Sequence, residues 1–128
     1  MIKISLILIS IFSLLYGLVF SFAPFFFAEL TQAEPTNIAW LRNIGASICG
    51  VLFLGLLFVY RSPSKNYDLF MIITITSILQ TLALIFSRFF NEFSAQKMFI
   101  IDLTIYSAIF VSLYLTYILL KYKSIFYK

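Results

Sequence analysis

Four long apolar runs occupy most of this chain: Ile4–Phe27, Ile44–Tyr60, Leu69–Ser87 and Met98–Leu120. A helix needs about 20 residues, at ~1.5 Å each, to cross ~30 Å of hydrocarbon, and each run approaches or exceeds that length. Most of the charge falls between them. So much apolar surface cannot be hidden by folding in water, so lipid must solvate a large part of it. The expected fold is an all-α membrane protein, a four-helix transmembrane bundle. It forms one domain over residues 1–128, with spans at about 4–27, 40–60, 68–87 and 98–120.

Composition supports this. The chain is 62% hydrophobic and 11% charged, against about 25% charged in a soluble domain. A soluble bundle would show polar outer faces with a ~3.6-residue period, which these runs lack. The net charge of +4 comes from scattered Lys and Arg residues and builds no nucleic-acid patch. Histidine is absent, which excludes histidine-ligated haem and ordinary histidine metal sites. The lone Cys49 cannot form an intramolecular disulfide. It reads as a small packing residue, because apolar surroundings disfavour its thiolate. No Ser/His/Asp set, metal-ligand spacing or phosphate-cradling glycine loop is present. No catalytic residue, metal site or cofactor is therefore assigned.

The first run is longer than the ~7–15 residues of a signal-peptide core, and Pro24 follows Ala23 where cleavage would be sought, so the run reads as a true span. Lys3, Arg61, Lys65, Lys121, Lys123 and Lys128 share one side, and Arg42, Arg88 and Lys97 the other. That excess of basic residues predicts both termini in the cytoplasm. Trp40, Tyr60, Tyr67, Tyr122 and Tyr127 fall near the run ends, as interfacial aromatics do. The polar stretch Thr31–Asn37 with Pro35 predicts a real loop, and Ser62-Pro63-Ser64-Lys65-Asn66 a tight turn.

Within the second run, Ala46 and Gly50 form one small-xxx-small pair, with Gly45 and Cys49 beside it. Such pairs let helix backbones approach closely. Gly45, Ala46 and Gly50 are expected to pack within the bundle, with a homodimer face as the other reading. In the third run Thr74, Ser77, Thr81 and Arg88 share a sector of roughly 60°, bordered by Gln80. In the fourth, Asp102, Tyr106 and Tyr117 lie on one face. The hydroxyls are expected to bond back to carbonyls of their own helices.

The charges near the outer leaflet are more informative: Glu29, Arg42, Arg88 and Asp102. A charge at the bilayer centre costs ~2.5–3.5 kcal/mol, less near the interface. These residues should be paired or face an aqueous notch. One expectation is a structural Arg–Asp clamp pinning the fourth helix to the second or third. The other is a notch for a polar-headed ligand such as a lipid headgroup or quinone.

Phe22-Ala23-Pro24, Leu41-Arg42-Asn43-Ile44-Gly45 and Ser87-Arg88-Phe89 resemble the helix ends of a bacterial family of small four-helix membrane proteins, broadly similar to the DoxX-like group. That family has a glycine soon after the closing arginine, where this chain has Asn91-Glu92-Phe93. The resemblance covers nearly the whole chain; it implies the four-helix fold and supplies no reaction.

The expected function is non-catalytic: an accessory subunit, or a binder of lipid-like molecules, in a bacterial cytoplasmic membrane. Membrane lipids are the expected partners, together with a homodimer or a larger membrane complex. The alternative is a small dimeric transporter of hydrophobic or cationic compounds. Small multidrug exporters carry an embedded glutamate in their first helix; here that run offers only Ser5, Ser10, Ser13, Tyr16 and Ser21 as polar groups. Without an ionisable group near the midplane, proton coupling lacks a carrier. A lipid enzyme using Asp102 or Glu29 beside an arginine is a third reading, set against the commoner salt bridge.

Overall fold

The computed structural model describes residues 2–33 and 38–126, and these are helical almost throughout. Four helical stretches are long and apolar enough to cross a membrane: Ile2–Phe22, Ile38–Arg61, Tyr67–Phe89 and Met98–Leu120. The first is α1. The second is built from α3 (Ile38–Ser47), a π-helical segment (Ile48–Leu54) and α4 (Gly55–Arg61). The third and fourth are α5 and α6. A short α2 (Pro24–Thr31) follows α1, and a five-residue α7 (Tyr122–Phe126) follows α6. Glu34, Pro35 and the rest of the first loop after Ala33, like Tyr127 and Lys128, lie outside the described residues.

The first helix ends earlier than its apolar run, at Phe22 rather than Phe27. Pro24 has no N–H to give the carbonyl four residues back, so a helix cannot run through it unbroken. The Ala23 N–H still reaches the Val19 carbonyl at 2.9 Å. The chain then restarts with Pro24 as the first residue of α2, a position whose N–H has no helical partner anyway. The polar turn after the second span forms as its sequence suggests, with Pro63–Lys65 in a single 3-10 turn.

Neighbouring spans pack in sequence order: α1 along the second span, α4 on α5, and α5 on α6. The fully buried apolar side chains gather at one end. Leu6 of α1, Leu56 and Val59 of α4, Phe70 and Ile73 of α5, and Leu115 and Ile118 of α6 meet around Tyr122. These positions lie early in the odd spans and late in the even ones, so the bundle runs up-down-up-down. Tyr122 stands near a run end, where an interfacial aromatic is expected; it is instead a core residue, and its hydroxyl donates to the Pro63 carbonyl at 2.6 Å. Lipid tails are as apolar as these side chains, so close packing and such cross-helix bonds hold the spans together.

Toward the opposite end α1 and α3 pack closely through small residues. Gly17 of α1 faces Gly45 of α3 so closely that a Cβ on Gly45 would stand 2.7 Å from the Gly17 carbonyl oxygen and 2.7 Å from the Ser21 nitrogen. Both neighbours are backbone atoms and cannot swing aside. Gly45 is thus a packing residue inside the bundle. Gly50 is different: a Cβ there would meet nothing within 4 Å, and Ala46 is exposed beside it.

The π segment separates two packing faces. Upstream of it α3 packs chiefly on α1; downstream α4 packs on both α1 and α5. A π-bulge adds a residue to the turn and so rotates the downstream helix by about 100° in register. Ser10 of α1 donates its hydroxyl to the Phe53 carbonyl in this segment at 2.9 Å, a bond across the helix pair that supports the irregular backbone.

Candidate functional site

The polar groups at the end opposite Tyr122 divide between two helix pairs. Arg88, in the last turn of α5, and Asp102, in the second turn of α6, form an ion pair. Nε donates to Oδ1 at 2.7 Å, and the second guanidinium nitrogen reaches Oδ2 at 3.5 Å. The two side chains are 38% and 33% exposed. The clamp therefore joins the fourth span to the third. It sits at the bundle surface, where an exposed pair contributes little to stability.

Arg42 is placed elsewhere. It lies in the second turn of α3, and its Nη1 donates to the Ser21 carbonyl at 2.8 Å. Ser21 is next to last in α1, and the last carbonyls of a helix have no partner within it. A cation there also complements the negative end of the helix dipole. One of the five guanidinium N–H groups serves this bond; the side chain is exposed. Beside it the Ser21 hydroxyl is buried against Gly45 and has no hydrogen-bond partner among the described residues. Glu29, on α2, is exposed and joins no ion pair among the described residues.

Below Arg42 runs an open groove of about 550 Å³ between α1 and the second span. Leu14, Leu18 and Phe22 flank it on one side, Ala46, Gly50 and Leu54 on the other, in both cases at a spacing of four that makes a ridge along the helix. The groove exists because Gly17 and Gly45 draw the two backbones together just beside these ridges. Arg42 is its single charged lining residue among the described residues. A smaller recess of about 270 Å³ lies between α2, the start of α3 and the 92–95 connection, with Trp40 and Glu92 on its wall. Around it the two loops at this end are tied by backbone bonds, from the Gln96 and Lys97 N–H groups to the Gln32 and Thr31 carbonyls.

Midway along α5 and α6 the hydroxyls do more than expected. Thr74 does bond back to the Phe70 carbonyl. Thr81 likewise bonds back to the Ser77 carbonyl; in addition Ser77 and Thr81 each lie 2.8 Å from the Ser112 hydroxyl across the helix pair, and Thr81 reaches the Ala108 carbonyl. All three side chains are buried. Ser112, Ser10 and Gly17 have no place in a reading based on polar stripes. For Ser112 and Gly17 the signal is spacing, since Ala108/Ser112 and Gly17/Ser21 are small residues four apart, as Gly45/Cys49 are; Ser10 stands between Leu6 and Leu14 at that spacing and carries no such signal.

No three of the metal-binding residue types His, Cys, Asp and Glu come together among the described residues. The site offers one cation above an apolar groove and one self-neutralised ion pair. That combination can bind and orient, and among the described residues it sets no nucleophile beside a base. Set beside known protein families, curated proteins and solved structures, the chain matches none.

Proposed function

We propose that this is a non-catalytic membrane protein that holds a lipid-like molecule at the outer leaflet, as an accessory or carrier component. The supporting observation is Arg42 at the head of the apolar groove between α1 and the second span. A groove of this volume matches the size of small-ligand sites, and an amphiphile fits its division into one polar end and a long apolar floor. The Arg88–Asp102 pair acts in this reading as a clamp that fixes α6 on α5, leaving Arg42 as the group open to a ligand head. The positive-inside bias favours the Arg42 end at the outer face and both termini in the cytoplasm. The resemblance to DoxX-like proteins favours a bacterial cytoplasmic membrane as the location.

The test is native mass spectrometry of the protein released gently from its own membranes. The expected result is one retained amphiphile per chain, lost when Gly50→Phe fills the groove. A protein that emerges bare would overturn the reading, as would one recovered only with a second polypeptide and no small molecule.

A further inference from the structure

Resting on that reading of the groove, we infer that its occupant is a single phospholipid of net negative charge, with a phosphate oxygen on Arg42 and one acyl chain along the Gly50 floor. Three observations carry this. Among the described residues Arg42 is the single charge in the lining and no carboxylate opposes it, so an anionic head is favoured over a neutral or zwitterionic one. Its planar guanidinium has donors beyond the one given to Ser21, and a fork of N–H groups suits two phosphate oxygens.

The second observation is depth. From Arg42 to Leu54 the groove follows twelve residues of helix, at most ~18 Å at the ~1.5 Å per residue of an α-helix and less through the wider π turns. Half of a ~30 Å hydrocarbon core is ~15 Å. The apolar floor is therefore about one leaflet deep, as one lipid chain requires. The third is the floor itself, which is open at Gly50 and lined by side chains without charge.

A second copy of this chain is the competing occupant, since Ala46 and Gly50 are small and exposed. A two-fold axis along the membrane normal would hold both copies at the same depth. It would then bring two Arg42 guanidiniums to one seam, where like charges repel. The lipid removes that conflict by supplying the opposite charge.

Purified, delipidated protein in a neutral detergent is titrated with dioleoyl phosphatidylglycerol or dioleoyl phosphatidylcholine and read by native mass spectrometry. The wild type is expected to take one phosphatidylglycerol with a preference of about tenfold over phosphatidylcholine, the scale of one charge-assisted contact. Arg42→Gln loses the charge and keeps a polar side chain at an exposed position, so the protein folds and the preference falls to near unity. Arg42→Lys retains part of it. Gly50→Phe removes both lipids. Equal binding of the two lipids by wild type and Arg42→Gln, still abolished by Gly50→Phe, would overturn the anionic head and leave the groove standing as a lipid site. Binding untouched by Gly50→Phe would overturn the groove itself. A protein that dimerises with no lipid bound, or one whose phosphatidylglycerol is displaced by excess inorganic phosphate, would overturn the lipid as occupant.

Discussion

Arg42 and Arg88 are two arginines at one end of the bundle with different partners. Arg88 is neutralised by a carboxylate on the next span; among the described residues Arg42 meets only a backbone carbonyl and no carboxylate. The ion pair is about one-third exposed, so its contribution is screened and small. Asp102→Asn is expected to lower the thermal midpoint in detergent slightly, and Arg88→Gln on top of it to restore part of the loss, because each single change strands the other charge near lipid. A double-mutant cycle with no coupling would show that the two groups act independently. The pairing was half legible: Asp102 needs an arginine by simple electrostatics, but choosing Arg88 over Arg42 requires knowing which helices are neighbours.

At the level of helices, the contact between α1 and α3 is the sharpest constraint. Gly45→Leu drives a side chain into backbone atoms of Gly17 and Ser21, and overpacking of this kind costs about 1–3 kcal/mol or more. Gly50→Leu, five residues on, enters open space and is expected to leave the unfolding midpoint in denaturing detergent unchanged. Equal losses from the two variants would contradict the assigned packing face. Between α5 and α6, Ser112→Ala deletes two hydroxyl contacts. Cross-helix bonds in membranes average ~0.6 kcal/mol each, so a loss of about 1 kcal/mol is expected from the same unfolding measurement. A neutral Ser112→Ala would mean that the cross-helix contacts add nothing to the bond Thr81 already makes to the Ser77 carbonyl of its own helix. The π segment has no comparable sequence signal, since Ile48–Leu54 is an ordinary apolar stretch; its wider turn comes from fitting α1 above and both α1 and α5 below.

For the whole molecule, packing is uneven: the Tyr122 end is closed by a continuous core, and the Arg42 end is held by small residues, one ion pair and loop-to-loop bonds. The groove lies between α1 and the second span, below Arg42. The orientation has its own test. In a Cys49→Ala background, Ser94→Cys is expected to react with a membrane-impermeant maleimide in intact cells and Lys65→Cys only after lysis; the reverse pattern would invert the topology and put Arg42 at the inner face. The linear chain was enough to establish the number of spans and their approximate ends, because these depend on length and hydropathy. The expected first span ran through Pro24 to Phe27, and the break there follows from the missing proline N–H, which hydropathy does not register. The linear chain could not show which small-residue pair meets a neighbour, that Ser112 joins two helices, that Tyr122 is core, or that Arg42 rests on Ser21. Each span is apolar on nearly all sides, so hydrophobic periodicity does not distinguish the face toward lipid from the face toward protein. That choice is made only when four backbones settle at the distances their glycines and hydroxyls allow.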